Sequence, residues 1–173
     1  MGSFVGPPMN GMVPQAQPLN TLCWYSCFRM LYVWKGLDPD TVWQRLKDGG
    51  IDVDAARVDG LLAKDNLKAA KALGMNALGF GQPLSPYDLK EPLKSSPVWC
   101  AGRWTSGNSG HVVVVIATDE NWVRYYDPWW VGTPEDVNDS KDRGWDFFLH
   151  GDRKGIPGFD QNFQFFPLIY WKG

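Results

Sequence analysis

Histidine and cysteine, which supply most zinc ligands and every disulfide, are scarce in this chain. Its 173 residues include two histidines and three cysteines, and no two cysteines are spaced C-x-x-C. Such numbers fit neither a zinc-binding pattern nor a disulfide framework. The sequence therefore predicts no metal and no other cofactor, and a reducing compartment suits its thiols best.

Long apolar runs and basic clusters are also missing. No stretch approaches the roughly 18 apolar residues of a transmembrane helix, so no membrane span is expected. The net charge is −2 and no Lys/Arg cluster stands out, which argues against a nucleic-acid partner. The first residues lack the charged and apolar regions of a secretory signal. We interpret residues 1–14, rich in Pro, Gly and Met, as a flexible lead-in and residues 15–173 as one domain.

The pattern of the chain changes near its middle. Helix signals dominate the first half, whereas β-branched and aromatic runs separated by turn residues dominate the second. Helices are predicted over about 23–34, 39–47 and 64–73, with a short one after Ser85-Pro86 that Pro92 disturbs. Strands are predicted over about 97–104, 111–117, 122–127 and 163–171. This order predicts an α+β fold with an antiparallel sheet.

Residues 17–34, QPLNTLCWYSCFRMLYVW, contain the helix around which the chain is organised. Its apolar residues fall on one side of a helical wheel, so we expect the helix to be central and largely buried. The positions predicted to face the core are 23, 24, 27, 28, 30, 31 and 34. The positions predicted to face outward are Tyr25, Ser26, Arg29 and Tyr32.

Cys23 is the candidate nucleophile of this helix. Asn20 or Thr21 is predicted to cap the helix, which leaves Cys23 in the first turn, where free backbone N–H groups and the helix dipole favour a thiolate. The amide of Gln17, six residues upstream, could fold back and donate, with the backbone N–H of Cys23, to the oxyanion of a tetrahedral intermediate. The simpler interpretation is a buried helix cysteine and a loop glutamine.

A candidate base opens the most strand-like run of the chain. His111 precedes four valines, and Asp127 ends the next strand. A hairpin loop at 118–120 would put the two residues directly opposite each other, and a loop at 119–121 would put them diagonally opposite on the same face. A two-residue loop would put them on opposite faces. Contact is therefore predicted under either three-residue loop.

These residue types suit nucleophilic catalysis. His111 would accept the thiol proton of Cys23 and later protonate the leaving amine. Asp127 would hold the imidazole by its second nitrogen and stabilise the positive charge. Taken alone, His111 is more simply a strand-edge histidine bonded to a loop. His150, in the polar segment HGDRKG, is expected to be a solvated surface residue.

Taken in order, Gln17, Cys23-Trp24 at a helix start, and the segments SGHVVVV and YYDPWW resemble the papain-like cysteine proteases of clan CA. The short chain is similar to their compact bacterial branch, which includes the AvrRpt2-like (C70) effector proteases and the C39 bacteriocin-processing peptidases. The resemblance implies a helical half, with the nucleophile on its central helix, packed on a C-terminal antiparallel sheet. It also implies a cysteine peptidase, hydrolysing a protein substrate, with Cys23, His111 and Asp127 as the triad and Gln17 in the oxyanion hole.

The pattern departs from papain at two positions. The acid is Asp127 rather than an asparagine, and Tyr25 stands where many relatives carry a small residue. The second departure bears on substrate preference.

The resemblance also implies a biological setting. An effector or toxin of this kind would be made in the producer's cytoplasm, without a signal peptide. A dedicated secretion machine, such as a type VI system, would deliver it into the cytoplasm of a target cell. The producer would then need a cognate immunity protein that blocks the cleft.

Two alternatives use the same fold. A papain-fold amidase, deamidase or transglutaminase would apply the same triad to peptidoglycan or to a protein side chain, because a fold does not determine its substrate. A C39-like domain would bind a peptide in its cleft without cutting it. Such domains usually lack the nucleophile, so the intact Cys23 argues against the second alternative.

The remaining candidates are aromatic residues and thiols. Trp24, Trp104 and Trp129 are the candidates for lining a substrate cleft, as is Trp130, although core packing explains them about as well. Cys27 and Cys100 are expected to pack in the core. The acidic residues Glu135, Asp136, Asp139 and Asp142 are expected to form a solvated loop.

Overall fold

The computed structural model of the protein describes residues 3–79, 84–104, 110–129, 140–150, 159–160 and 167–173. The helices are α1 (Cys23–Lys35), α2 (Val42–Asp48), α3 (Val53–Asp59), α4 (Asn66–Ala72), α5 (Pro86–Leu93) and α6 (Trp145–His150). The strands are β1 (Asn76–Leu78), β2 (Val98–Trp104), β3 (Gly110–Thr118), β4 (Trp122–Tyr126), β5 (Lys141–Gly144), β6 (Phe159–Asp160) and β7 (Leu168–Tyr170).

The α+β class is confirmed. Within the described ranges the strands form one sheet in the order β1-β7-β2-β3-β4-β5, with β6 paired to the end of β2, and the pairings are antiparallel. The C-terminal strand β7 lies inside the sheet, between β1 and β2. None of the helices in this part of the chain is both long and apolar enough to cross a bilayer.

The longer predicted elements are present, and several short ones were missed. The prediction at 39–47 corresponds to a 3-10 helix, Pro39–Thr41, followed by α2. Helix α3 and the strands β1 and β5 have three to seven residues, which is too short for a clear periodic pattern. Helix α3 is fixed by its cap, because the Asp52 carboxylate accepts from the backbone N–H of Ala55 at 3.0 Å.

Helix α1 is buried on more sides than its apolar stripe predicted. Ser26 and Tyr32, expected to face outward, are buried, and Trp34, expected in the core, is half-buried. The Tyr32 hydroxyl donates to the carbonyl oxygen of Leu73 at 3.0 Å, and its ring lies against Trp171. The segments that follow α4 and β7 therefore cover a side of α1 that the helical wheel assigned to solvent.

The central strands are buried on both faces of the sheet. One face packs against α1 and includes Trp99, Ala101, Val112 and Val114. The other face packs against α5 and α6 and includes Cys100, Val113 and Val115. A strand between two cores is a continuous apolar run rather than an alternating one, as the valines of β3 are. The helices thus pack on both faces, where the prediction had one helical half on one sheet.

A β-bulge sets the register between β3 and β4. The last pair of the hairpin joins Thr118 to Val123, so four residues, 119–122, lie between the last paired positions, although β4 begins at Trp122 and only 119–121 lie between the two strands. Further along the ladder Val115 pairs with Tyr125, which leaves Ile116 as the extra residue of β3.

The bulge restores the alignment that the loop length disturbs. A four-residue connection alone would put His111 and Asp127 on opposite faces of the sheet. The extra residue shifts the register by one, and His111 and Asp127 return to the same face in a diagonal relation. The strand bounds leave 119–121 between β3 and β4, as in one of the two predicted loops, and the diagonal relation predicted with that loop is present, although the bulge that sets the register was not predicted.

Residues 3–14, expected to be a flexible lead-in, contact the domain in the structure. Val5 exchanges two backbone hydrogen bonds with Thr118, at 2.7 and 2.9 Å, and so extends the sheet by one bridge. The indole N–H of Trp34 donates to the carbonyl oxygen of Pro8 at 2.8 Å. The lead-in is thus attached to both β3 and α1.

Two segments interpreted as polar loops contain regular structure. His150 is the last residue of α6, and its side chain lies outside the described part of the structure. Asp142 lies in β5, where its carboxylate accepts from the Arg124 guanidinium at 2.6 and 2.7 Å. The other acidic residues of the predicted loop, Glu135, Asp136 and Asp139, lie outside the described residues.

Candidate active site

Cys23 is the first residue of α1 and is 7% exposed. The predicted cap was wrong: Leu22 precedes the helix and no side chain caps it. The Thr21 hydroxyl instead donates to the backbone carbonyl oxygen of Arg57 at 2.5 Å, at the end of α3. The first turn of α1 therefore keeps backbone N–H groups without a side-chain acceptor, next to the thiol.

His111 and Asp127 form the expected pair. Nε2 of His111 lies 2.7 Å from Oδ1 of Asp127, and the two side chains are 2% and 12% exposed. The same carboxylate oxygen accepts from the backbone N–H of Trp129 at 2.8 Å. The Trp129 ring stands edge-on to the imidazole, with ring centroids 6.2 Å apart. These contacts hold both the carboxylate and the imidazole in place.

Cys23 lies beside His111: both line one cavity, and the interaction with Cys23 raises the pKa of the His111 imidazole. Because Nε2 is engaged by Asp127, the ring nitrogen left for the thiol is Nδ1. His111 thus interacts with Cys23 on one side and with Asp127 on the other.

The pKa of His111 shows how the pair divides the proton. Burial lowers the pKa of the imidazole, but the negative charge and hydrogen bond of Asp127 raise it, and the contact with Cys23 raises it further. The result is a pKa of about 9, well above the ordinary value of about 6.5. The imidazole therefore holds its proton at neutral pH.

Gln17 lies against the same loop as Asp127. Its backbone N–H donates to the carbonyl oxygen of Pro128 at 2.9 Å, which ties residue 17 to the residue after Asp127. One hydrogen of its side-chain amide goes to the carbonyl oxygen of Leu19 at 2.9 Å, so the second hydrogen remains for another acceptor. Its Oε1 is buried and has no partner among the described residues.

Cys23 and His111 open into one cavity of about 390 Å³, which we call the Cys23 cleft. It lies between the start of α1, the segment from α3 to α4, and the adjoining ends of β2 and β3. Its lining includes Thr21, Cys23, Trp24, Leu61, Leu62, Asn66, Ala101, His111 and Val112. The sequence analysis missed the wall contributed by residues 59–66, since nothing in that segment marked which side of the fold it covers.

The tryptophans predicted to line a substrate cleft have different outcomes in the structure. Trp24 lines the Cys23 cleft, yet it is 1% exposed and its ring stacks on Trp43. Trp129 is half-buried beside His111. Trp104 ends β2, but its side chain lies outside the described part of the structure, and Trp130 lies outside the described residues altogether.

The other thiols lie in the core, as expected. Cys27 and Cys100 are fully buried, and neither forms a disulfide. Burial raises the pKa of Cys100 to about 12, and burial, with smaller contributions from nearby groups, raises that of Cys27 well above its ordinary value. Among the described residues, no cluster of histidine, cysteine and acidic side chains is arranged to hold a metal ion.

Comparison with known proteins gives a match to one protein family and a similar solved structure. A family model described as papain-like cysteine protease AvrRpt2 (Peptidase_C70) matches residues 9–136. Among solved structures, the chain is similar to a double glycine motif protease from an AMS/PCAT transporter in complex with the leader peptide. That match has 19% sequence identity and a TM-score of 0.49, and covers 96% of this chain and 97% of that one. A comparison with curated proteins finds no match.

Proposed function

The chain belongs to the papain-like cysteine protease family of AvrRpt2, and from this premise we propose that it is an endopeptidase acting on a protein substrate through Cys23, His111 and Asp127. In this proposal Cys23 is the nucleophile, His111 is the general base and acid, and Asp127 orients the imidazole. The observation that carries it is the pair of His111 and Asp127, 2.7 Å apart, with His111 and Cys23 lining one cavity.

The first half of the reaction follows from the proton positions. Because His111 holds its proton at neutral pH, the proposed reactive state is a Cys23 thiolate beside the His111 imidazolium, in which the proton of the thiol has already passed to the imidazole. The sulfur attacks the carbonyl carbon of the scissile bond, and the carbonyl oxygen takes the negative charge. As this intermediate collapses, the C–N bond breaks and the proton of His111 moves to the leaving amine. The product is an acyl-enzyme on Cys23.

The second half uses the same groups in reverse. His111, now neutral, accepts a proton from water, and the resulting hydroxide attacks the acyl carbon. The C–S bond breaks, and the carboxylic acid leaves. In each half the oxyanion needs donors. The backbone N–H of Cys23 and the second hydrogen of the Gln17 amide are the two we propose, with each donor worth about 3 to 4 kcal/mol of transition-state stabilisation.

Thiol labelling tests the proposed pair without knowledge of the substrate. Purified wild-type protein, Cys23→Ala and His111→Ala are treated with iodoacetamide near pH 6, and intact mass counts the labels. An ordinary thiol is almost wholly protonated at that pH, whereas a thiolate held by an imidazolium reacts. We expect rapid single labelling of the wild type that disappears in both variants.

Peptide cleavage then tests the reaction itself. A proteome-derived peptide library incubated with the wild type should yield new N-termini that Cys23→Ala does not produce. Labelling that is slow, or that falls on Cys27 or Cys100, contradicts the assignment of the nucleophile. Rapid labelling without any cleavage would leave the thiol assignment intact but contradict the endopeptidase activity.

We further propose that this activity serves an effector or toxin delivered into a target cell, with an immunity protein that protects the producer. The support is the sequence resemblance to effector proteases described above. Expression of the protein in bacterial cells without any partner should slow their growth, and Cys23→Ala should remove the effect. Equal growth of cells expressing the wild type and the variant would contradict a toxin role in those cells.

A further inference from the structure

Consecutive residues of the lead-in contact the β3–β4 hairpin at the place where its register changes. Val5 exchanges its two backbone hydrogen bonds with Thr118, the last residue of β3. The guanidinium of Arg124 lies over the Phe4 ring, 4.7 Å from its centroid. Arg124 pairs with Ala117, the residue of β3 that follows the bulge. The lead-in therefore contacts both strands of the hairpin beside the bulge.

The lead-in occupies an edge of β3 that β2 leaves open. At this end of β3 the pairs with β2 stop at Val98 and Val115, so β2 does not extend past the bulge. Both backbone hydrogen bonds of Thr118 go to Val5, whereas Val123 of β4 lies on its other side. A bulge leaves its extra residue unpaired and disrupts the ladder around it. Beyond the disrupted part, the lead-in takes the place of β2 on the second edge of β3.

Gly6 lies where the lead-in comes closest to the bulge. A β-carbon added at residue 6 would overlap the carbonyl oxygen of Ile116 and lie 2.9 Å from the β-carbon of Ala117. That oxygen belongs to the backbone of the bulge residue, so it cannot rotate away as the end of a side chain could. A glycine permits this close approach of two backbones. Any larger residue must displace either the lead-in or the bulge.

We propose that Gly6 is a positioning residue, because the contact that it permits holds the bulge and with it the alignment of His111 and Asp127. If the bulge were lost, regular pairing from the end of the hairpin would shift β4 by one residue against β3. Asp127 would then lie on the other face of the sheet from His111. The inference deepens the proposed function, since it rests on Cys23, His111 and Asp127 as the reacting groups.

Nuclear magnetic resonance tests the register without any assay of activity. In the wild type, the backbone protons of Val115 should lie close to those of Tyr125, with which Val115 pairs. Loss of the bulge would put Tyr126 opposite Val115 instead. We expect Gly6→Ala to replace the Val115–Tyr125 contacts in the nuclear Overhauser spectrum with Val115–Tyr126 contacts.

Gly11→Ala is the matched control. Gly11 belongs to the same lead-in and has a φ of 88°, so an alanine strains the backbone there as well. The added β-carbon would meet only the carbonyl oxygen of Trp34, at 3.9 Å, on α1 and away from the bulge. Gly11→Ala should therefore loosen the lead-in on α1 and leave the pairing of β3 with β4 unchanged.

Labelling of Cys23 by iodoacetamide near pH 6 connects the register to the site. Gly6→Ala should slow the labelling about tenfold, because a misplaced His111 no longer holds the thiolate. Gly11→Ala should leave the rate unchanged. Deletion of Ile116 removes the extra residue and keeps the pairs on either side of it. In that background Gly6→Ala should have no further effect on the rate, since no bulge remains to be held.

A second variant covers the case in which Gly6→Ala does not fold, as judged by its thermal unfolding. Val5→Pro removes the N–H that donates to Thr118 and places no new atom against the bulge. It should shift the pairing of Val115 in the same direction as Gly6→Ala.

Several outcomes overturn the inference. They are a folded Gly6→Ala protein, or in its place Val5→Pro, that keeps the Val115–Tyr125 contacts, an equal loss of these contacts in Gly11→Ala, and an equal slowing of labelling with and without Ile116. Failure of the proposed function is separate. It appears as a wild-type protein whose Cys23 is not labelled, while the cross-strand contacts still report the register.

Discussion

The first and second turns of α1 each carry a cysteine in the same core, and the two thiols have opposite surroundings. The thiol of Cys23 meets the imidazole of His111, which Asp127 holds from the other side. The thiol of Cys27, one turn later, donates to the carbonyl oxygen of Val112 at 3.4 Å. Burial is the main cause of the raised pKa of Cys27, so this residue keeps its proton.

Under the proposed mechanism, the two thiols differ in reactivity because of the groups that they face rather than because of their burial. Cys23 is 7% exposed and Cys27 is not exposed at all, so burial separates them little. A carbonyl oxygen can only stabilise the protonated thiol, whereas an imidazolium stabilises the thiolate. The helix start adds to this contrast, because only the first turn has backbone N–H groups without an intrahelical partner.

Removing the reactive thiol should have the largest effect on activity. Cys23→Ser roughly keeps the size of the side chain but replaces the thiol with a hydroxyl, which is too weak an acid to form an ion pair with His111 at neutral pH. We expect kcat/KM for a cleaved peptide to fall by about 10⁴-fold or more. Cys27→Ser is the comparison variant. A comparable loss of kcat/KM in Cys27→Ser would contradict the distinction between a reactive Cys23 and a structural Cys27.

The oxyanion donor should come next. Gln17→Ala is expected to lower kcat by about 10²- to 10³-fold, because one donor to the tetrahedral intermediate is lost. Iodoacetamide labelling of Cys23 should be unchanged, since alkylation forms no oxyanion. Gln15→Ala is the matched control. The Gln15 side chain lies away from the thiol and accepts a hydrogen bond from Arg29, with a donor–acceptor distance of 3.0 Å. Equal effects of the two variants would argue against an oxyanion role.

Replacing the Asp127 carboxylate should lower the activity at Cys23 in a pH-dependent way. Asp127→Asn removes the main group that raises the pKa of His111 to about 9, so the imidazole should lose its proton within the neutral range. We expect kcat/KM at pH 7 to fall on the order of a hundredfold. The labelling rate of Cys23 between pH 6 and 8 should depend more steeply on pH in the variant than in the wild type.

The same pair contributes to stability with a definite sign. The pKa of His111 is higher in the folded protein than the ordinary 6.5, so its contribution is complete below about pH 6.5 and is lost as the pH rises through about 9. The stability advantage of wild type over Asp127→Asn in urea unfolding should shrink over that range. Asp142→Asn, which breaks an exposed pair with Arg124, should show no such trend between pH 6.5 and 9.

Cys27, in the second turn of α1, should contribute to the stability of the fold and not to catalysis. Cys27→Ala removes a fully buried sulfur and its weak hydrogen bond to Val112, which should cost about 1 to 2 kcal/mol of unfolding free energy. Cleavage and labelling of Cys23 should remain within about twofold of the wild type. Denaturant unfolding and kcat/KM measured on the same preparation separate the two effects.

Much of the site could be predicted because its members stand at element boundaries. Cys23 opens a long apolar helix, and His111 and Asp127 lie near the ends of strong strands, where residue type and position carry the signal. The bulge at Ile116 left no mark, since one more apolar residue inside an apolar run looks like ordinary strand. Its effect on the register became visible only in the strand pairing.

Other features depended on tertiary contacts that no local pattern records. Tyr32 is buried because the ends of α4 and β7 reach it, although its place on the helical wheel is polar. Asn66 opens α4 in an alanine-rich segment, where an asparagine is ordinary at a helix start. Only the path of residues 59–66 across the start of α1 turns it into part of the Cys23 cleft.

The bulge at Ile116 also limits how this hairpin can change in length. Gain or loss of one residue in the 119–122 connection would carry Asp127 to the far side of the sheet and separate it from His111, unless the bulge were lost in the same step. A change of two residues would keep the two side chains together. The length of this hairpin should therefore change by two residues at a time, or by one residue together with loss of the bulge in β3. The loop and the bulge are then inherited as one unit.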